Sequence, residues 1–277
     1  MDPSVDRTRS RSHSRWAGLP PNDRVTRPAH NLPLSVRDGK SARILAFSLP
    51  TSQNEAMSKD YAQFCGLAKA SSVLGERWSL LILRDLSVRP CRFKDLLEGL
   101  PGIPTSVLTA RLRDLHAARV VTRVAGGQPG DGIRYTLTQH GEALEPVLDA
   151  LGRWGAATMV APEPDEMITD ASLAVALRAA FRPGEASSAA TYAIRTGTAT
   201  AWATATQDSV TIGAGAPDVP PDLTIHCCQE LRALLAGTLS PTAALTSGVV
   251  RIDGPPELFE RFACAFRVPL IETAASP

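Results

Sequence analysis

Between Leu67 and Trp154 the chain repeats one device: apolar residues at helical spacing, each run closed by residues that a helix does not tolerate. LAKASSVLG (Leu67 to Gly75) sets Leu67, Ala70, Ser71 and Leu74 on one face and stops at Gly75. RWSLLILRDL (Arg77 to Leu86) carries Trp78, Leu81, Ile82 and Leu86, a stripe broad enough to predict a buried helix. Arg92 to Leu100 repeats the theme with Phe93, Leu96, Leu97 and Leu100. Pro101-Gly102-Ile103-Pro104 must then break the helix and turn the chain.

The helix after that turn carries the functional signal. Thr105 or Ser106 can cap it by accepting backbone N–H bonds, and Leu108, Leu112 and Leu115 form its core stripe. Its other face presents Ser106, Thr109, Ala110 and Arg113, with Arg111 and His116 at the margins. That face is short-chained and cationic, as entry into a DNA major groove requires: small side chains allow close approach, and Arg reads guanine or phosphate. Two alternating runs follow, Val120 to Ala125 and Ile133 to Thr138, joined by the glycine-rich loop Gly126 to Gly132. Arg123 and Arg134 sit on them, where a wing would touch phosphates. Gln139 to Ala157 reads as one long helix with Leu144, Val147, Leu148, Leu151 and Trp154 on one face and a bend at Pro146. Helix, helix, turn, helix, hairpin, helix is the order of a winged helix-turn-helix.

Four strings carry a family resemblance: GERWSLLILRDL (Gly75 to Leu86), RFKDLLEGLPGI (Arg92 to Ile103), LTARLRDL (Leu108 to Leu115) and YTLTQHGEALEPVLDALGRW (Tyr135 to Trp154). In order and spacing they resemble the HxlR-type regulators, a branch of the MarR-like winged helices. The resemblance implies a homodimer on double-stranded DNA, with recognition helices in successive major grooves and wings on the flanking backbone. The loop GGQPGDG departs from the family, which often has a proline and a valine before the tyrosine. Cys65 stands where some family members carry a redox or electrophile sensor, and Lys69 one turn on could favour its thiolate. The alternative is a small thiol buried between helices.

The flanks differ in charge. Residues 1–56 hold 9 basic and 5 acidic side chains, residues 57–160 hold 13 and 10, and residues 161–277 hold 7 and 13. A basic middle is compatible with phosphate contact and an acidic tail is not. Residues 1–56 are rich in Arg, Ser and Pro and read as a disordered extension, with Met57 as a second possible start. No run reaches the roughly 18 apolar residues of a membrane span, and no apolar core follows the N-terminal arginines. The five cysteines show no zinc spacing, so neither a metal site nor a disulfide scaffold is expected, and a cytoplasmic protein is.

APEPDE (Ala161 to Glu166) marks a linker, so the organisation reads as an extension 1–56, a winged helix 57–160 and a second domain 167–272. Beyond the linker the order is a helix (Ser172 to Phe181), strands at Ala190 to Arg195, Thr198 to Ala205, Ser209 to Gly213 and Asp222 to His226, then helix (Gln229 to Ala236), helix, strand and helix. PDLTI (Pro221 to Ile225), LRALLAGTLSPTAALTSGVVRIDG (Leu231 to Gly254) and ELFERFACAF (Glu257 to Phe266) resemble the sterol-carrier-protein-like fold, which builds an apolar tunnel between a sheet and helices. The chain as a whole is therefore expected to be α+β, its second domain holding a small, mainly antiparallel sheet. On that resemblance Trp202, Leu231, Leu234, Leu235, Phe259, Phe262 and Phe266 line a cavity for a small apolar or lipid-like ligand, although the same residues could simply fill a core.

No pair of carboxylates, Ser-His-Asp arrangement or phosphate loop is visible, so no catalytic residue and no cofactor are expected. The leading expectation is a ligand-responsive DNA-binding dimer. Two alternatives stand beside it: a lipid carrier that uses the winged helix only to dimerise, and a redox switch through Cys65.

Overall fold

A computed structural model describes residues 61–126, 132–163, 165–197 and 199–271. The expected extension 1–56 and the tip of the glycine-rich loop lie outside the described residues.

The first part runs α1 (Gly66–Leu74), α2 (Ser79–Leu86), α3 (Phe93–Gly99), α4 (Thr105–Ala117), β1 (Val121–Ala125), β2 (Ile133–Leu137), α5 (Gln139–Glu142) and α6 (Glu145–Ala156). One apolar core joins α2, α3 and α4 to the β1–β2 hairpin through Ile82, Leu83, Leu96, Leu100, Leu108, Leu112 and Leu115. Leu83 belongs to that core, whereas Leu81, expected there, is exposed. The helix cap at Thr105 or Ser106 does not form: Pro104 is the N-cap residue and supplies no side-chain bond. Instead Pro fixes the φ that leads into the first turn.

The single long helix expected over Gln139 to Ala157 is two helices. Pro146 sits in the first turn of α6, where its missing N–H has no helical partner to lose, and α5 ends before it. Gly141 lies so close to the Val120 carbonyl that a Cβ there would collide with it. The Thr138 hydroxyl holds the same corner, donating to Arg119 O at 2.6 Å and accepting from Gly141 N at 3.1 Å.

The second part runs α7 (Asp170–Ala180), β3 (Ala190–Thr196), β4 (Ala199–Ala205), β5 (Val210–Ala214), β6 (Leu223–Cys227), α8 (Glu230–Ala236), α9 (Pro241–Thr246), β7 (Arg251–Asp253) and α10 (Pro256–Ala265). Its sheet has the order β5-β4-β3-β6-β7, with β3 and β6 parallel and the other pairs antiparallel. Thr169 and Ser172 cap α7 reciprocally, each hydroxyl accepting from the other's backbone N–H. A second core gathers the buried faces of α7, α8 and α10 against one face of the sheet, including Leu177, Ala201, Ala203, Ile225 and Phe262. With helices and sheets in both parts, the chain is mixed α+β.

Candidate nucleic-acid interface and the ligand-side residues

α4 is held by three leucines and exposes its opposite side. Leu108, Leu112 and Leu115 are at most 1% exposed, while Thr105, Ser106, Thr109, Arg113 and His116 face out. Thr109 bonds back to the Thr105 carbonyl at 2.9 Å, which leaves the hydroxyl oxygen as an acceptor. Arg113 is 75% exposed and only loosely paired with Asp114 at 3.4 Å. A shallow, polar, cationic surface on a rigid helix can approach a groove floor and contact base edges or phosphates.

Arg111 is placed otherwise. Its side chain is 15% exposed and paired with Glu76 at 3.3 Å and Asp114 at 3.1 Å. The physical reason is helical periodicity: Arg111 takes the i+3 position between Leu108 and Leu112, on the buried stripe. Expected as a DNA contact, it instead ties α4 to the turn before α2.

The two wing arginines do not form one patch. Arg123 pairs with Tyr135 across the hairpin, and Arg134 with Val124, so they point to opposite faces. Arg123 lies over the Tyr135 ring at 5.6 Å and is exposed; Arg134 is half-buried.

Cys65 is exposed at the N-terminus of α1, and hydrogen bonds from the backbone of Ala68 and Leu67 hold its thiol below the ordinary range. The helix N-terminus, not Lys69, is the cause, and the expected alternative of a buried thiol does not apply to the isolated chain. Burial pushes the Cys91 thiol up to about 11 and the Cys227 thiol up to about 12.

The residues expected to line a ligand cavity fall on two sides of the sheet. Phe259, Phe262 and Phe266 are wholly buried on the helix side with Leu231, Leu234 and Leu235. The Phe262 and Phe266 rings stack at 4.8 Å, with Tyr192 5.4 Å from Phe262 and Phe181 5.7 Å from Phe266. These rings touch one another, as core aromatics do. Trp202 is on the other face. Strand β4 buries Ala199, Ala201, Ala203 and Ala205 and turns Thr200, Trp202 and Thr204 away from the helices. The indole lies flat on its cross-strand partner Gly213, where a Cβ would strike the ring. Trp202 therefore shares no cavity with the three phenylalanines.

Helix α6 faces three ways, and only its apolar side has a signature in the sequence. Leu148 enters the winged-helix core, and Val147, Leu151 and Trp154 are exposed at 46%, 45% and 77%. The third face packs on α7. Arg178 of α7 pairs with Asp149 at 2.9 Å and Glu145 at 3.7 Å, and Arg153 donates to the Ala179 carbonyl at 3.0 Å. Arg232 of α8 donates to the carbonyls of Ala156, at the end of α6, and Met159 at 2.7 and 2.9 Å.

Residues 73–163 match the family described as HxlR-like helix-turn-helix. The HTH-type transcriptional regulator YkvN of Bacillus subtilis is 34% identical over 91 residues, 33% of this chain and 77% of its own length. The HTH-type transcriptional regulator YodB of the same organism is 35% identical over 88 residues, 32% of this chain and 79% of its own. The solved structure of quinone-bound YodB from B. subtilis superposes with a TM-score of 0.29 at 36% identity, covering 32% of this chain and 93% of that one.

Proposed function

The chain belongs to the HxlR-like helix-turn-helix family of transcriptional regulators, and we propose that it acts as a homodimer that binds double-stranded DNA through α4. The observation that carries this is the exposed Thr105, Ser106, Thr109 and Arg113 surface, mounted on three buried leucines. Arg123 and Arg134 add backbone contacts from the two faces of the wing. Exposed Val147, Leu151 and Trp154 of α6 meet their counterparts in the second subunit. The winged helix takes residues 57–160 and the second domain 167–272, in a cytoplasmic protein without catalytic residues. No helix among the described residues is long and apolar enough to cross a membrane.

The second domain is taken as sterol-carrier-like, from its sheet with helices on one face, and as the seat of response to a small apolar ligand. Its pocket would open among Leu231, Leu234, Leu235, Phe259, Phe262 and Phe266, without Trp202. A ligand there acts on DNA affinity through the α6–α7 contact.

Selection of bound duplexes from a random pool, followed by titration at rising salt, tests the DNA reading. Enrichment of a twofold-symmetric site, with affinity falling steeply with salt, is expected. No enrichment, with affinity indifferent to salt, overturns it in favour of the carrier alternative.

A redox switch through Cys65 is a second reading, favoured by the exposed, acidified thiol and by the quinone-bound structure of the relative YodB. Under it, quinone treatment weakens DNA binding of the wild type and leaves Cys65→Ser unaffected. An equal loss in both rules it out.

A further inference from the structure

The α6–α7 junction opens into a cleft of about 580 Å³ whose lining carries more cations than anions. It is bounded by α6, the end of α7, the β4–β5 turn and the segment after α10, and it contains four arginines against two aspartates. One of those aspartates, Asp149, is already consumed by Arg178, which donates to both its carboxylate oxygens. The other charged residues of the lining are Arg153, Arg182, Arg267 and Asp208.

The three cations are poorly compensated. Among the described residues Arg153 and Arg267 make no ion pair; Arg153 gives one N–H to the Ala179 carbonyl and keeps its other donors. The Arg267 guanidinium lies over Gly237, in the place a Cβ would take, so its position is set by packing rather than by a carboxylate. Arg182 holds Glu185 at 3.2 Å, but both side chains are about half exposed, and such pairs contribute little. A bound anion would accept the N–H donors that no carboxylate takes, in charge-assisted hydrogen bonds. Guanidinium forks match the oxygens of carboxylates and phosphates. Pro183 and Val210 give the same cleft an apolar wall.

We propose that this junction cleft binds a small organic anion, a carboxylate or a phosphate monoester with an apolar substituent, through Arg153, Arg182 and Arg267. The site is separate from the apolar pocket of the preceding section and does not depend on DNA binding. An occupant touching α6 and α7 together would fasten the two parts of the chain to each other; only the effect of that fastening on DNA rests on the proposed function.

The test is calorimetric titration of the full chain, without DNA, with benzoate, phenyl phosphate and inorganic phosphate at constant ionic strength against a chloride control. Saturable binding of benzoate or phenyl phosphate at one site per chain is expected, weakened at least tenfold in Arg153→Gln/Arg267→Gln and unchanged in Arg195→Gln on the far face of the sheet. Preference between the two organic probes identifies carboxylate or phosphate as the group recognised. Binding of inorganic phosphate alone, no binding, or binding unaffected by the paired substitution overturns the proposal. Should the paired variant lose its native circular dichroism, the exposed Arg182→Gln must weaken binding severalfold by itself, and wild-type affinity in that variant likewise overturns it.

Discussion

Arg178 and Asp149 meet with the Nε of the guanidinium 2.9 Å and 3.1 Å from the two carboxylate oxygens, joining helices that belong to different apolar cores. The same guanidinium reaches the Ser87 hydroxyl at 3.1 Å and Glu145 at 3.7 Å. One side chain thus connects the end of α2, α6 and α7. Asp149 and Arg178 are 14% and 11% exposed, so each would be left largely desolvated without the other.

That burial sets a signed expectation. Asp149→Ala strands the Arg178 charge and should lower unfolding stability by about 2–3 kcal/mol, toward the lower end of what breaking a buried pair costs because Glu145 and Ser87 remain. Arg178→Ala should cost as much or more. The double variant should be less destabilised than the sum of the two, with a coupling of about 1–2 kcal/mol in urea unfolding. Strict additivity would mean that the pair contributes nothing.

Arg111 and Arg113 stand two residues apart and should fail in different assays. Arg113→Ala should leave the urea midpoint within error and weaken binding to a selected duplex at least tenfold, about 1.4 kcal/mol. Arg111→Ala breaks the link between Glu76 and Asp114 and should lower stability by about 1–2 kcal/mol, with DNA affinity of the folded fraction less affected. The reverse assignment, Arg111 reading DNA and Arg113 supporting the fold, would show as the opposite pattern.

The contrast between these arginines shows what sequence periodicity can and cannot resolve. Leucines at 108, 112 and 115 are enough to predict α4 and its buried side, yet the fourth position of that stripe is occupied by a cation that looks like part of the reading face. The strands, α7, α8 and the closing helices were legible because each carries its own local period and turn residues. Trp202 was misplaced in the cavity although it alternates with alanines that pack under α7, and period two alone puts it with Thr200 and Thr204. The junction was not legible. Arg178 finds Asp149 29 residues away and Ser87 91 residues away, and no local pattern encodes such a pairing.

Asp85 gives a pH-dependent expectation. Burial pushes its carboxyl above the ordinary value of 3.8, with Arg84 and Arg89 pulling part of the way back. The folded chain therefore holds this proton more tightly than the unfolded chain. The stabilisation from that proton is complete below 3.8 and is lost as pH rises through the raised folded value. Asp85→Asn keeps a neutral group of the same shape, so its stability relative to wild type should rise between pH 3.5 and 7. Urea midpoints of the two proteins across that range measure the difference directly, since the other titrating groups cancel. A flat difference would show that Arg84, 2.8 Å away, fully offsets the desolvation.

The exposed face of α6 carries the last expectation. Val147, Leu151 and Trp154 lie at i, i+4 and i+7, a continuous apolar stripe that neither core covers. Leaving such a stripe in water is unfavourable by about 25 cal/mol for each Å² of apolar surface, and a second subunit would remove that exposure. Leu151→Asp puts a charge at the centre of the stripe without touching Leu148 or Asp149, which serve the two internal faces. The variant should keep its circular dichroism spectrum and sediment as a monomer, and the wild type should sediment as a dimer. Its DNA affinity should fall because one recognition helix then binds without its pair. A Leu151→Asp protein that still sediments as a dimer would place the subunit contact elsewhere and leave the α6 stripe to another partner.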